Sequence, residues 1–412
     1  MAPRASSSSR VMSMIFQSIT TATTALIVGT MVGCGSAPIQ SPVGMPSPEV
    51  PRTPAPTPLP VSVADDEVAP SRPVITQAKS RWVAVRWADL PGWADDSLHE
   101  AWNAWLQSCE KPAAPLAALC TDVRRLSIAS ADEQRQWLMR SLQPYRVEPL
   151  QTAQAPANEG LLTAYYEPVL EASRQPSALF KVPLYQPPLN LAQKKPWYTR
   201  QEIDTLPAAQ AALKGREIAY LADPVDALVL QIQGSGRLRV SLPDGSKVTT
   251  RVAYAGTNDQ PYKSVGRWLL DQGAIKDATW PGIKAWTVQN PQRVQEMLWS
   301  NPRTVFFREE ALPTGDGSGD SSLGPRGAQG VPLTAGRSIA VDPGSIPYGT
   351  PVWLASSGPQ VNLQKLVMAQ DTGSAIVGAV RADYFVGSGL EAGELAGRLK
   401  QPLKLWVLWP KR

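Results

Sequence analysis

The chain has 412 residues but a single histidine, His99, and three cysteines, which restricts the chemistry open to it. A serine or cysteine nucleophile of the usual kind needs a histidine beside it, and zinc sites built on histidine need more than one. His99 falls on the polar side of an expected helix and reads as a solvated side chain. Acid–base work therefore falls to carboxylates, lysine or tyrosine. The richest carboxylate pattern lies in the last third: Ile339-Ala-Val-Asp342-Pro-Gly, Val367-Met-Ala-Gln-Asp371-Thr-Gly373-Ser and Val380-Arg-Ala-Asp383-Tyr-Phe-Val-Gly387. Each aspartate adjoins a strand-like run and sits near glycine or turn residues. Aspartates at strand ends converge readily on one pocket. They are also common caps and turn formers, and for Asp342, ahead of Pro-Gly, both readings stand.

The elements that must hold these residues read as mostly β with short helices. Arg337 to Val341, Pro351 to Leu354, Lys365 to Gln370 and Leu403 to Leu408 are strand candidates, as is Thr304 to Arg308. Ala227 to Leu242 and Ser246 to Ala255 read as two strands joined by Pro243-Asp244-Gly245, which is hairpin chemistry. Within the first, Gln233-Gly234-Ser235-Gly236 reads as a bulge that brings backbone close to a ligand. It is no phosphate loop, because neither a helix nor Lys-Ser/Thr follows. Leu98, Trp102, Trp105, Leu106 and Cys109 recur at helical spacing. Ser130 with Glu133, and Thr199 with Glu202, are capping boxes. Pro261 to Asp271 and Asn290-Pro291 to Asn301 are further helix candidates. The Gly-rich stretch 313–330 reads as a long flexible loop and a domain boundary.

The N-terminus reads as a targeting segment. Arg4 and Arg10 precede an apolar, Thr-interrupted run that is too weakly apolar for a span of about 20 residues. Its end, Met31-Val-Gly33-Cys34-Gly35, resembles the lipobox of bacterial lipoproteins. That resemblance implies a signal peptide over 1–33 and acylation of Cys34. Gly35, where an aspartate would retain the protein in the inner membrane, favours the outer membrane facing the periplasm. Eleven prolines between Pro38 and Pro73 make 34–77 an extended tether unable to bury a core. With Cys34 lipidated, Cys109 and Cys120 form an even pair in an oxidising compartment and are expected to be linked. The formal charge of +5 has no clustered basic run behind it, so nucleic acid is not an expected partner. Mild basicity suits an anionic wall polymer.

The three-aspartate set resembles the C-terminal domain of the membrane-bound lytic murein transglycosylase A family. Upstream motifs agree in order: Thr163-Ala-Tyr165-Tyr166-Glu-Pro168, Leu230-Gln-Ile-Gln233-Gly234-Ser235-Gly236-Arg237, Tyr254-Ala-Gly256-Thr-Asn258 and Gly330-Val-Pro332-Leu-Thr334-Ala-Gly336-Arg337. The resemblance implies a double-psi β-barrel formed by 78–168 and 323–412. It also implies a smaller inserted β-barrel over 169–322, with a glycan groove between the two. It implies Asp383 as the catalytic acid, with Asp371 and Asp342 in support, and no cofactor or metal. The activity implied is cleavage of the β-1,4 bond between N-acetylmuramic acid and N-acetylglucosamine in peptidoglycan, leaving 1,6-anhydromuramoyl ends. One carboxylate suffices there, because the C6 hydroxyl of the sugar replaces water as nucleophile, whereas ordinary glycosidases need two. Tyr165 and Tyr166 are candidates for stacking on sugars, or else half-buried packing. The expected partners are glycan strands and outer-membrane lipid, with other wall enzymes unidentified.

Three rival readings are open. Asp371-Thr-Gly-Ser is the local signature of pepsin-like proteases, but those need two such loops sharing a proton, and the chain holds one. Three aspartates are also a donor set for Mg²⁺ or Ca²⁺. The non-enzymatic alternative is a wall-binding lipoprotein with a dead site.

Overall fold

The computed structural model describes residues 72–150, 159–242, 244–312 and 323–411. The targeting run, Cys34, most of the Pro-rich segment and 313–322 lie outside them. No helix among the described residues is long and apolar enough to cross a membrane.

Alternating apolar residues fold most of this body into fifteen strands among the described residues. In chain order they are β1 (Ile75–Thr76), β2 (Ser80–Ala84), β3 (Leu142–Pro149), β4 (Gly160–Glu167), β5 (Val169–Ser173), β6 (Val182–Tyr185), β7 (Glu217–Leu221), β8 (Ser235–Ser241), β9 (Lys247–Thr257), β10 (Val305–Glu310), β11 (Ser338–Val341), β12 (Pro351–Ser357), β13 (Asn362–Asp371), β14 (Arg381–Ser388) and β15 (Lys400–Pro410). They form two sheets. The larger runs β1-β2-β3-β15-β12-β13-β11-β14-β4, and β15 also pairs with β4. The long β15 makes this possible: its first residues pair with β4, its middle with β12 and its end with β3. Strands β15, β12, β13, β11, β14 and β4 thus close into a ring. Two of its pairings, β11 with β13 and β14 with β4, are parallel.

Inside the ring lie Leu162, Ile339, Val341, Val352, Leu354, Val367, Ala382, Leu405 and Val407, all nearly inaccessible to solvent. Each large aliphatic side chain so buried contributes about 1.5–3 kcal/mol. Helices Leu98–Ser108 and Ala131–Ser141 pack outside it, joined by Trp102, Trp105 and Trp137 with ring centroids 5.5–5.8 Å apart. Cys109, just after the first of these helices, is bonded to Cys120.

The smaller sheet runs β10-β9-β8-β5-β7-β6, with only β5 and β8 parallel. The chain passes into it through Glu167-Pro168 between β4 and β5. At that junction Glu167 is fully buried. Its carboxylate accepts from Arg237 Nε of β8 at 2.8 Å, Arg251 Nε of β9 at 2.5 Å and Ser388 Oγ of β14 at 2.9 Å. Two buried guanidinium groups on one buried carboxylate tie the sheets together. Removing one member of such a group costs about 3–5 kcal/mol, because it leaves a buried charge uncompensated.

Both expected capping boxes form. Ser130 and Thr199 each accept from the backbone N–H three residues on, and Glu133 and Glu202 accept in return. The turn at Asp244-Gly245 joins β8 to β9, with Gly245 at φ +84°. Several expectations need correction. Ala227 to Leu242 is not one strand: Pro224–Gln233 is a helix and the strand begins at Ser235. Asp223 accepts from Val225 N–H as its cap, Pro224 occupies the first turn, and Val225, Leu228 and Val229 pack at helical spacing on a cluster with Leu269, Ile283 and Trp286. Gly234 ends the helix in the left-handed conformation, φ +81°. The helix expected from Pro261 starts only at Val265, capped by Ser264. That expected from Asn290 is a single 3₁₀ turn followed by Val294–Trp299. Of the stretch read as a flexible loop, 323–330 is fastened: Gly324 and Gly327 N–H donate to Leu333 and Val331, and Gln329 N–H to Gln370.

Candidate functional site

Strand register assembles the site. Asp383 on β14 lies opposite Thr163 on β4 and opposite Ala340 on β11, and Ala340 lies opposite Asp371 on β13. Thr163, Asp383, Ala340 and Asp371 therefore form a row across four strands. At about 4.8 Å per strand, the two aspartate backbones are roughly 10 Å apart. Side chains two residues along share a face, which adds Tyr165 beside Thr163, and Arg381 and Phe385 on either side of Asp383. The Tyr165 and Phe385 rings meet at 5.3 Å between centroids.

The two carboxyl groups differ in their bonding. Asp371 Oδ1 accepts from the N–H of Ala328 and of Thr372, each at 2.9 Å, and Oδ2 accepts from the Tyr165 hydroxyl at 3.0 Å. Both oxygens are engaged. Burial nevertheless raises its pKa to about 6: the cost of an enclosed charge exceeds what the three donors return, and the Asp383 charge adds to the rise. Burial and the Asp371 charge lift the Tyr165 phenol well above its ordinary value, so it stays a donor. Asp383 is half-buried. Its Oδ1 accepts a very short bond from Thr163 Oγ1, while its Oδ2 has no hydrogen bond among the described residues. Burial raises its pKa, opposed by the Thr163 bond and the nearby Arg381 charge. The site thus holds one carboxyl spent on structural bonds and one with a free oxygen, both favouring the proton more than an exposed aspartate does.

Asp342 does not join this row. It follows β11, and Lys79 Nζ donates to it at 2.9 Å, as do the N–H groups of Gly344 and Gly378. Burial would raise its pKa, but those donors together hold it below the usual carboxylate range. It pins the Pro-Gly turn to the 372–380 loop. Among the described residues no three His, Cys, Asp or Glu groups come close enough to hold a metal ion.

Tyr166 alternates to the other face of β4 and packs on the Leu228, Ile283 and Trp286 cluster, over Gly393, where a Cβ would come within 2.8 Å of its ring. It is not brought to Asp383. Gln233 Oε1 accepts from Tyr166 N–H at 3.0 Å and so ties the helix end to β4. The Gln233–Gly236 segment is a helix end running into β8 rather than a bulge within a strand. Gly234 faces open space, whereas at Gly236 a Cβ would meet Leu230 at 2.4 Å. Sequence reasoning named neither Thr163 nor Arg381 for the site. The signal was present: both stand two residues from a residue it did name, on strands where that spacing means a shared face.

Comparison with known proteins agrees with this architecture. Residues 161–308 match the MltA specific insert domain, and residues 337–409 match the 3D domain. The membrane-bound lytic murein transglycosylase A of Vibrio cholerae is 31% identical over 262 residues, which cover 60% of this chain and 65% of that protein. The chain thus spans slightly less than two thirds of the curated relative it matches. Among solved structures, the lytic transglycosylase LtgG of Burkholderia pseudomallei is 41% identical over 84% of this chain and 99% of that one, with a TM-score of 0.55. MltA from Neisseria gonorrhoeae is 30% identical over 83% and 95%, with a TM-score of 0.67.

Proposed function

The chain belongs to the membrane-bound lytic murein transglycosylase A family, and on that premise we propose that it cleaves peptidoglycan between N-acetylmuramic acid and N-acetylglucosamine without consuming water. Asp383 protonates the glycosidic oxygen as the C1–O4 bond breaks. The C6 hydroxyl of the muramic residue then closes on C1, and the Asp383 carboxylate takes its proton. The acid is regenerated, and the product carries a 1,6-anhydro end. Holding the internal hydroxyl near C1 gives the attack a high effective concentration.

The observation that carries this reading is the contrast between the two carboxyl groups. A hydrolase needs a second carboxylate to activate water or attack the sugar. Asp371 already accepts on both oxygens, whereas Asp383 Oδ2 accepts no hydrogen bond among the described residues. Asp371 accordingly orients Tyr165 and the 326–330 segment, and Asp342 holds the loops beyond β11. The open space at Gly234, together with Gln233, Ser235 and Gly236, would line the sugar path, with Tyr165 at its floor; Tyr166 packs instead.

The wider architecture follows the same reading. The closed ring with its two parallel pairings is the double-psi barrel of 78–168 and 323–412. The smaller sheet is the inserted domain of 169–322, and the glycan strand lies between them. Residues 1–33 are a signal peptide and Cys34 carries the lipid that anchors the protein to the outer membrane, with 34–77 as tether. On purified sacculi, Asp383→Asn should lower kcat by at least about 10²-fold, the lower end for losing a general acid–base, while Asp371→Asn loses less. Full activity in Asp383→Asn would overturn the assignment.

A further inference from the structure

The hydrogen bonds around Asp383 run in one direction. A guanidinium has N–H groups and no acceptor, so where Arg381 Nη2 meets Thr163 Oγ1 at 2.8 Å, the hydroxyl must accept. Arg381 is itself fixed by donating to the carbonyls of Ala382 and Leu161. The Thr163 proton then has to go elsewhere, and its acceptor among the described residues is Asp383 Oδ1. Oδ1 is therefore held as an acceptor and Oδ2 is left to carry the proton.

From this we propose that Thr163 and Arg381 are positioning residues that select which oxygen of Asp383 bears the catalytic proton. The inference rests on Asp383 being the acid, as argued above. A carboxyl group lacking this restraint carries its proton on either oxygen, and half of those states point it away from the sugar. The second effect is on acidity. Thr163 and Arg381 both favour the ionised carboxylate, against burial; Asp371 on β13 and Tyr165 on β4 are the other titratable groups beside it among the described residues. Removing either helper makes Asp383 a weaker acid that stays protonated to higher pH.

The test is the pH dependence of sacculus cleavage. Thr163→Val keeps the shape and deletes the hydroxyl. It should lower kcat by about tenfold or more, leave KM within about twofold, and move the alkaline limb of the profile upward by about one pH unit. Thr163→Ser should restore both rate and limb. Arg381→Gln should move the limb in the same direction as Thr163→Val. A residue acting only in folding would lower the melting temperature and the active fraction without moving the limb. If Thr163→Val and Arg381→Gln keep the wild-type limb, or Thr163→Ser does not restore it, the positioning role is refuted. An active Asp383→Asn measured alongside would instead refute the underlying assignment of the acid.

Discussion

The site should be a measurable burden on the fold, and Asp371 is the place to detect it. Its carboxyl sits at about 6 rather than 3.8 because it is enclosed. At about 1.4 kcal/mol per pH unit, ionising it in the folded protein costs roughly 3 kcal/mol more than in the unfolded chain. The sign follows from linkage. The folded-state pKa lies above the unfolded one, so the favourable protonated contribution is complete below pH 3.8 and is lost as pH rises through about 6. Asp371→Asn never ionises. Its amide oxygen still accepts from Ala328 and Thr372 N–H, and its NH₂ meets the Tyr165 hydroxyl, whose oxygen then accepts. Weaker neutral bonds give back about 1 kcal/mol. The net gain above pH 6 is then about 2 kcal/mol, or roughly 4 °C in Tm for a body of this size. Thermal melts of both proteins from pH 4 to 8 would test this. The variant should trail wild type slightly at pH 4, where the weaker bonds are not yet offset, overtake it between pH 4 and 6, and hold a constant lead above. A lead that does not change with pH, or a variant less stable than wild type at pH 8, would refute the account of Asp371.

Two further outcomes follow from the cysteines. Replacing Cys109 and Cys120 by serine opens the loop between them, 11 residues apart in sequence, and should lower stability by about 3 kcal/mol, read as a lower denaturation midpoint. Cys34→Ser should turn a protein extracted only by detergent into one released from the periplasm in soluble form; a wild-type protein that is already soluble would contradict the lipid anchor.

Much of the site was legible as residue types, and little of it as partnerships. The caps at Ser130 and Thr199 and the hairpin at Asp244-Gly245 are set by contacts within a few residues, so a local reading suffices. The helix Pro224–Gln233 reads as strand because the continuous run Leu228-Val229-Leu230, with Ile232 beyond it, suits either period. Its deciding signal, the Asp223-Pro224 start, is shorter than the apolar run that masked it. Thr163 and Asp383 are 220 residues apart in sequence, and their contact exists only because β4 and β14 pair in parallel within a closed ring. The same topology parts Asp342 from Asp371 and Asp383, although all three adjoin strand-like runs. Glu167 is the clearest gap. Nothing local in Tyr-Glu-Pro announces a carboxylate shared by two buried arginines from another sheet.

In the mechanism proposed above, the sugar's own hydroxyl replaces water. Purified sacculi digested to completion, with the soluble products reduced by borohydride and weighed by mass spectrometry, test it most directly. Internal attack should give muropeptides with 1,6-anhydro ends that resist reduction, about 20 Da lighter than reduced hydrolytic products, because it adds no water. Reducible muramic acid ends as the main product would contradict it and would require a second carboxylate acting on water.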